Sequence, residues 1–230
     1  MENGVGTAQD PPSEFAVKDC ALLAIATGRR VYTLSELRGG LESVGEASIY
    51  YHFWGSLLQP RFGEREYNND FAGWVLHSLH DARLAERMAM LDPREYPDLS
   101  ELRFDLLEII DERLDEADYL HWMPAAQPFQ FMRSQIVVFS TDKRVSTPAE
   151  LLAILPTLPV SSLFYHFIDA RRRVPEAGDD FSAWLSDFGD MGQRLRDGLG
   201  RVDPYFATLG TLRNQIATIF AAELEDGHAA

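Results

Sequence analysis

Hydrophobic positions along this chain keep two different periods. From Phe129 to Phe139 the run FQFMRSQIVVF is dense in β-branched and aromatic residues, so it reads as a strand. Phe15 to Ala26 holds the matching place earlier in the chain, although its alanine-rich end, Ala21 to Ala26, also suits a helix. Helical signals follow each of these stretches. Thr33-Leu34-Ser35-Glu36 is a capping box, and Thr147-Pro148-Ala149-Glu150 repeats it with proline at the first helical position. Ser48 and Ser162 are expected to cap a second helix, and Asn69 and Asp179 a third. Ala82 to Leu91 reads as a fourth helix that ends near Asp92-Pro93. Leu99, Leu102, Leu106, Ile109, Ile110 and Arg113 keep the 3.6-residue period of a long amphipathic last helix. The expected class is mostly α, an α+β arrangement with one short strand in each half.

The halves resemble each other. Ser48-Ile49-Tyr50-Tyr51-His52-Phe53 matches Ser162-Leu163-Phe164-Tyr165-His166-Phe167, 114 positions on. At that offset Phe15 meets Phe129, Thr27 meets Thr141, Thr33 meets Thr147 and Glu36-Leu37 meets Glu150-Leu151. Further on, the offset falls to 110, and Asp70-Phe71-x-x-Trp74 meets Asp180-Phe181-x-x-Trp184. The lost residues fall between Gln59 and Asn69 on one side and Arg171 and Asp179 on the other, where a surface loop absorbs them. A tandem duplication is the reading: a disordered tail at 1–14, one copy at 15–114, an ordered connector at 115–128, a second copy at 129–224 and a disordered tail at 225–230. Two such units are expected to pack about a pseudo-twofold axis, with their strands paired there.

The pattern Cys20…Ala26-Thr27-Gly28…Leu34…Glu36-Leu37…Ser48-Ile49-Tyr50-Tyr51-His52…Asn69-Asp70-Phe71-Ala72-x-Trp74…Leu84-Ala85-Glu86…Leu102-Arg103 resembles a bacterial and archaeal family classed as a domain of unknown function. The resemblance is clearest over the first copy. The second departs from it, with Ser134 for the cysteine, Asp142 for the glycine and Asp179 for the asparagine. It implies a fold neighbourhood and no chemistry.

Composition narrows the function classes. The chain has 230 residues and a net charge of −15, which repels phosphate backbones and disfavours nucleic-acid binding. Its single cysteine, Cys20, excludes an internal disulfide. Met1 to Glu14 lacks the basic and apolar stretches of a signal peptide, and no apolar run approaches the roughly 20 residues of a membrane span. A cytoplasmic location and no membrane partner are expected.

Candidate chemistry centres on His52 and His166. Ile49, Tyr50, Phe53, Trp54 and Leu57 form one apolar helical stripe, and Tyr51 and His52 lie outside it, as Tyr165 and His166 do in the second copy. Either a second packing face holds the imidazoles, or each forms a His–carboxylate site with Asp70 or Asp180 orienting the ring. Asp70 and Asp180 have an alternative explanation, since a carboxylate in a first helical turn is favoured by the helix dipole. His77, His80 and Asp81 lie along one helical turn and are weak metal candidates; a solvated polar face accounts for them better. Arg171-Arg172-Arg173 is a basic run, solvated or aimed at an acidic partner or phosphorylated ligand. Thr27-Gly28-Arg29-Arg30 is a weak anion-loop signal. No cofactor motif is present. The expectation is a non-enzymatic binding module that takes a partner protein or small ligand between the repeats, with self-association left open. The alternative is a hydrolase or transferase that uses His52, His166, Asp70 and Asp180 in that groove, with Tyr51 and Tyr165 beside them.

Overall fold

The computed structural model describes residues 14–59, 66–174, 176, 178–204 and 207–226. The chain is mostly helical, with one two-stranded antiparallel sheet. The strands are β1 (Phe15–Val31) and β2 (Phe129–Val145), each 17 residues long. Both exceed the expected stretches, and Ala21 to Ala26 is strand rather than helix. Thr27 Oγ1 donates to Phe131 O at 2.7 Å and Thr141 Oγ1 to Val17 O at 2.6 Å, so a hydroxyl ties each strand to its neighbour's opening turn.

After β1 come α1 (Leu34–Ser43), α2 (Glu46–Trp54), α3 (Asp70–Trp74), α4 (Ala82–Ala89) and α5 (Leu99–Glu116). After β2 come α6 (Pro148–Ile154), α7 (Val160–Leu163, continued by a π-helical turn Phe164–Ile168), α8 (Asp180–Leu185), α9 (Gly189–Gly200) and α10 (Leu209–Asp226). The capping boxes form. Thr33 accepts from Glu36 N at 3.1 Å while Glu36 takes the Tyr32 N–H at 2.6 Å, and Thr147, Glu150 and Ser146 repeat the pattern. Asn69 and Asp179 cap α3 and α8 at 2.8 Å each. Ser48 and Ser162 do not cap: Gly45 and Pro159 take those places, and neither offers a side-chain acceptor. Ser48 instead donates to Met132 O at 2.6 Å, so burial against a strand decides its role.

The chain condenses into two compact units, and the division falls inside both strands. One unit holds Cys20–Phe139 and Asp203–Leu212. Its core includes Leu34, Leu37, Ile49, Phe53, Phe71 and Leu106, all fully buried. The other holds the described residues up to Asp19, those of Ser140–Val202 and those from Arg213, around Leu151, Phe164, Phe181, Leu195 and Phe220. In the first unit the Phe129 ring lies 5.2 Å from Phe71 and 5.7 Å from Trp74. In the second, Phe15 lies 5.4 Å from both Phe181 and Trp184. Each strand's first aromatic thus fills the core made by the helices that follow the other strand.

Within 115–128 the backbone is tied down by Ala125 N to Tyr32 O at 2.6 Å and Ala126 N to Ser78 O at 2.8 Å, yet Trp122 is exposed. Of the tails expected to be disordered, 1–13 and 227–230 lie outside the described residues, and α10 runs through Glu225 and Asp226. Among the described residues no helix is long and apolar enough to cross a membrane.

Candidate functional site

Helix α2 is buried on all sides from Ser48 to Trp54, so Tyr51 and His52 occupy a second packed face outside the apolar stripe. His52 is 2% exposed. Its Nδ1 lies 3.0 Å from Asp70 Oδ2, and its Nε2 accepts the Met132 backbone N–H at 3.1 Å. A peptide N–H can only donate, so Nε2 carries no proton and Nδ1–H donates to the carboxylate. The ring lies 5.0 Å from Phe71 and 4.7 Å from Phe129, so it is packed between aromatic side chains. Asp70 is the first residue of α3, placed there by the Asn69 cap.

His166 repeats this arrangement inside the other unit. It is 2% exposed, its Nδ1 lies 2.7 Å from Asp180 Oδ2, and its Nε2 accepts the Lys18 N–H at 2.8 Å. Phe15 and Phe181 flank it at 4.8 Å and 5.7 Å. Burial by itself would raise the Asp180 carboxyl, but bonds from His166 and Arg173 outweigh it and hold the group below the usual carboxylate range. The Arg173 guanidinium lies 3.9 Å from the centre of the Tyr165 ring and donates to Asp180 at 3.0 Å and to Tyr165 O at 2.7 Å. A surface cavity of about 440 Å³ borders this pair, lined by Lys18, Tyr165, His166, Arg173, Asp180 and Trp184 among others. In the first unit Tyr51 is buried, and its hydroxyl accepts from Gln59 Nε2 at 3.0 Å.

With both nitrogens engaged, each imidazole acts as a crosspiece between a helix and a strand. To serve as a base, Nε2 would first have to release a strand amide. The weak metal candidates are assigned to separate tasks. His77 is exposed and pairs with Glu66 at 3.0 Å, and His80 turns the chain at φ 57°. Asp81 caps α4 and binds Arg113 at 2.7 Å. Among the described residues no group of three or more His, Cys, Asp or Glu is placed to hold a metal. Arg172 and Arg173 both pair with Asp169, at 3.6 Å and 3.4 Å, so internal carboxylates meet that basic run. Cys20 is buried.

Sequence reasoning missed the strand amides of Lys18 and Met132 and the clamp from Arg173. An amide leaves no residue signature, and Arg173 was visible only as part of a charged run.

Desolvation also marks Asp179, the cap beside Asp180: burial pushes its carboxyl up to about 6 against the lowering effect of the Ser182 bonds. Asn69 fills the matching place in the first unit without a charge.

No curated protein matches the chain. The solved structure of OrfY from Thermoproteus tenax is similar to it, with 25% sequence identity, a TM-score of 0.76 and coverage of 92% of this chain and 95% of that one. A family model matches residues 12–221 in one run and so takes in both halves. The chain belongs to that family, described as a family of unknown function, DUF5752.

Proposed function

We propose that this chain is a non-enzymatic accessory module that binds a partner protein or small ligand, built by doubling one ancestral helical unit. The carrying observation is that both ring nitrogens of His52 and of His166 are committed, one to a carboxylate and one to a strand amide. A general acid or base needs a nitrogen within reach of substrate, and these rings spend theirs on docking strands.

Several matched features support the doubling. The hydroxyl-to-carbonyl bonds of Thr27 and Thr141 correspond at the offset of 114, as do both capping boxes. Where one compact unit sets Gly40 under Phe131, the other has Ile154 and Val17 at the matching places, so a small–large pair is exchanged for two of middle size. The acidic charge argues against a nucleic-acid partner, and the single buried cysteine suits the cytoplasm.

The reading is tested by His52→Ala and His166→Ala, with thermal unfolding and amide exchange followed together. Each variant is expected to melt about 5–10 °C lower, with faster exchange at the strand amide it abandons. Incubation of the wild type with a metabolite extract, followed by mass spectrometry, is expected to show retained ligand without conversion. Turnover that disappears in both variants while their melting is unchanged would overturn the reading.

A further inference from the structure

Beside the start of α2, on the unit that holds His52, lies a cavity of about 280 Å³. Two arginines line it, Arg29 from β1 and Arg133 from β2, along with Thr27, Ser43, Gly45 and Ala47. Its described lining holds no Asp or Glu, in a chain where acids outnumber Lys and Arg by 36 to 21. Two cations beside one cavity repel each other, and an anion between them reverses the sign of that interaction.

Neither arginine is spent elsewhere. Arg133 is exposed, and its side chain has no hydrogen-bond or ion-pair partner among the described residues. Arg29 donates one N–H to the Ser43 hydroxyl and lies 5.9 Å from the Phe131 ring centre, which anchors its head and leaves other donors available. At the offset of 114 the other compact unit has Lys143, Asp19 and Pro159 in place of Arg29, Arg133 and Gly45. The fold accepts an acid at the Arg133 position, so the arginine pair belongs to this cavity and not to the architecture. Gly45 adds no side chain to the cavity, where its counterpart carries a proline ring.

We propose that this cavity binds the phosphoryl group of a small phosphate monoester. Guanidinium forks match phosphate oxygens in charge and spacing. The volume is near the lower limit of ligand pockets, about 300 Å³, which suits a phosphate with a small organic remainder. The chain's net charge of −15 disfavours a phosphate polymer. This inference rests on the binding-module reading and names a ligand class for it.

Titration calorimetry of the full chain at low ionic strength tests it, with inorganic phosphate and phenyl phosphate as probes and benzoate as the carboxylate comparison. The variants are Arg133→Gln, Arg133→Asp and, as a control on an exposed arginine outside the lining, Arg201→Gln. The wild type and Arg201→Gln are expected to bind both phosphates saturably, one per chain, and benzoate more weakly. Arg133→Gln is expected to weaken phosphate binding about tenfold or more, and Arg133→Asp to abolish it, with melting unchanged because the side chain has no structural partner. Equal binding by Arg133→Gln, tighter binding of benzoate than of phenyl phosphate, or no saturable binding by the wild type would each overturn the site. Such a failure leaves the histidine experiment unaffected, so the two readings fail separately.

Discussion

An imidazole that accepts a peptide N–H and faces a carboxylate has only one protonation state that satisfies both partners. At His52 and His166 this makes the ring a link in the fold. Removing either ring leaves a strand amide without its acceptor, takes one partner from a carboxylate and leaves a cavity among aromatic rings, and His52→Ala or His166→Ala should cost about 2–4 kcal/mol in chemical denaturation. Asp179 shows what burial does when the partner set is weaker. Its folded value of about 6 lies above the 3.8 of an ordinary aspartate, so between those values the folded state holds more protons than the unfolded one. Stability from this group is therefore full at low pH and is lost as pH rises through about 6. Asp179→Asn, which copies Asn69, removes that dependence. Relative to the variant, the wild type should gain about 1 kcal/mol between pH 7 and pH 5, as read from urea midpoints at both values. An equal response of the two proteins would show that the carboxyl is not held up by burial.

At the scale of elements, the close approach of α1 to β2 depends on Gly40. A Cβ there would stand 2.5 Å from the Phe131 ring, which is 1% exposed and has nowhere to move. Gly40→Ala should therefore destabilise by overpacking, about 1–3 kcal/mol, against the gain that alanine normally brings to a helix. Unfolding curves that show a more stable variant would mean the ring has room to yield. The element ends were legible in the sequence because caps act within one turn: Thr33, Asn69, Thr147 and Asp179 all perform as their positions imply. Ser48 and Ser162 were misread because a buried helix start looks the same in sequence as an exposed one. The full length of β1 was hidden by Ala21 to Ala26, whose helical propensity yields to pairing with β2.

At the scale of the whole molecule, residues far apart in sequence stand in one core. Phe15 packs on His166, Phe181 and Trp184 within its own compact unit. Phe15→Ala should cost about 3–5 kcal/mol and speed amide exchange in the π-helical turn Phe164–Ile168 and in α8, about 150 residues downstream. Exchange that rises only near the mutated strand would show that this packing does not support the helices.

By itself the sequence determined the helix order, the caps at Thr33, Asn69, Thr147 and Asp179, the aromatic blocks and the presence of two matched histidines with an aspartate at the start of a nearby helix. Those features follow from interactions a few residues apart, which periodicity and spacing record. Only the tertiary structure decided that the Met132 amide meets His52, 80 positions away, and that the Lys18 amide meets His166, 148 positions away. It alone brought Arg29 and Arg133 to one cavity. Such pairings arise when two long strands bury their aromatic ends in distant helices, and the free energy of that burial depends on area and fit, which no local pattern encodes.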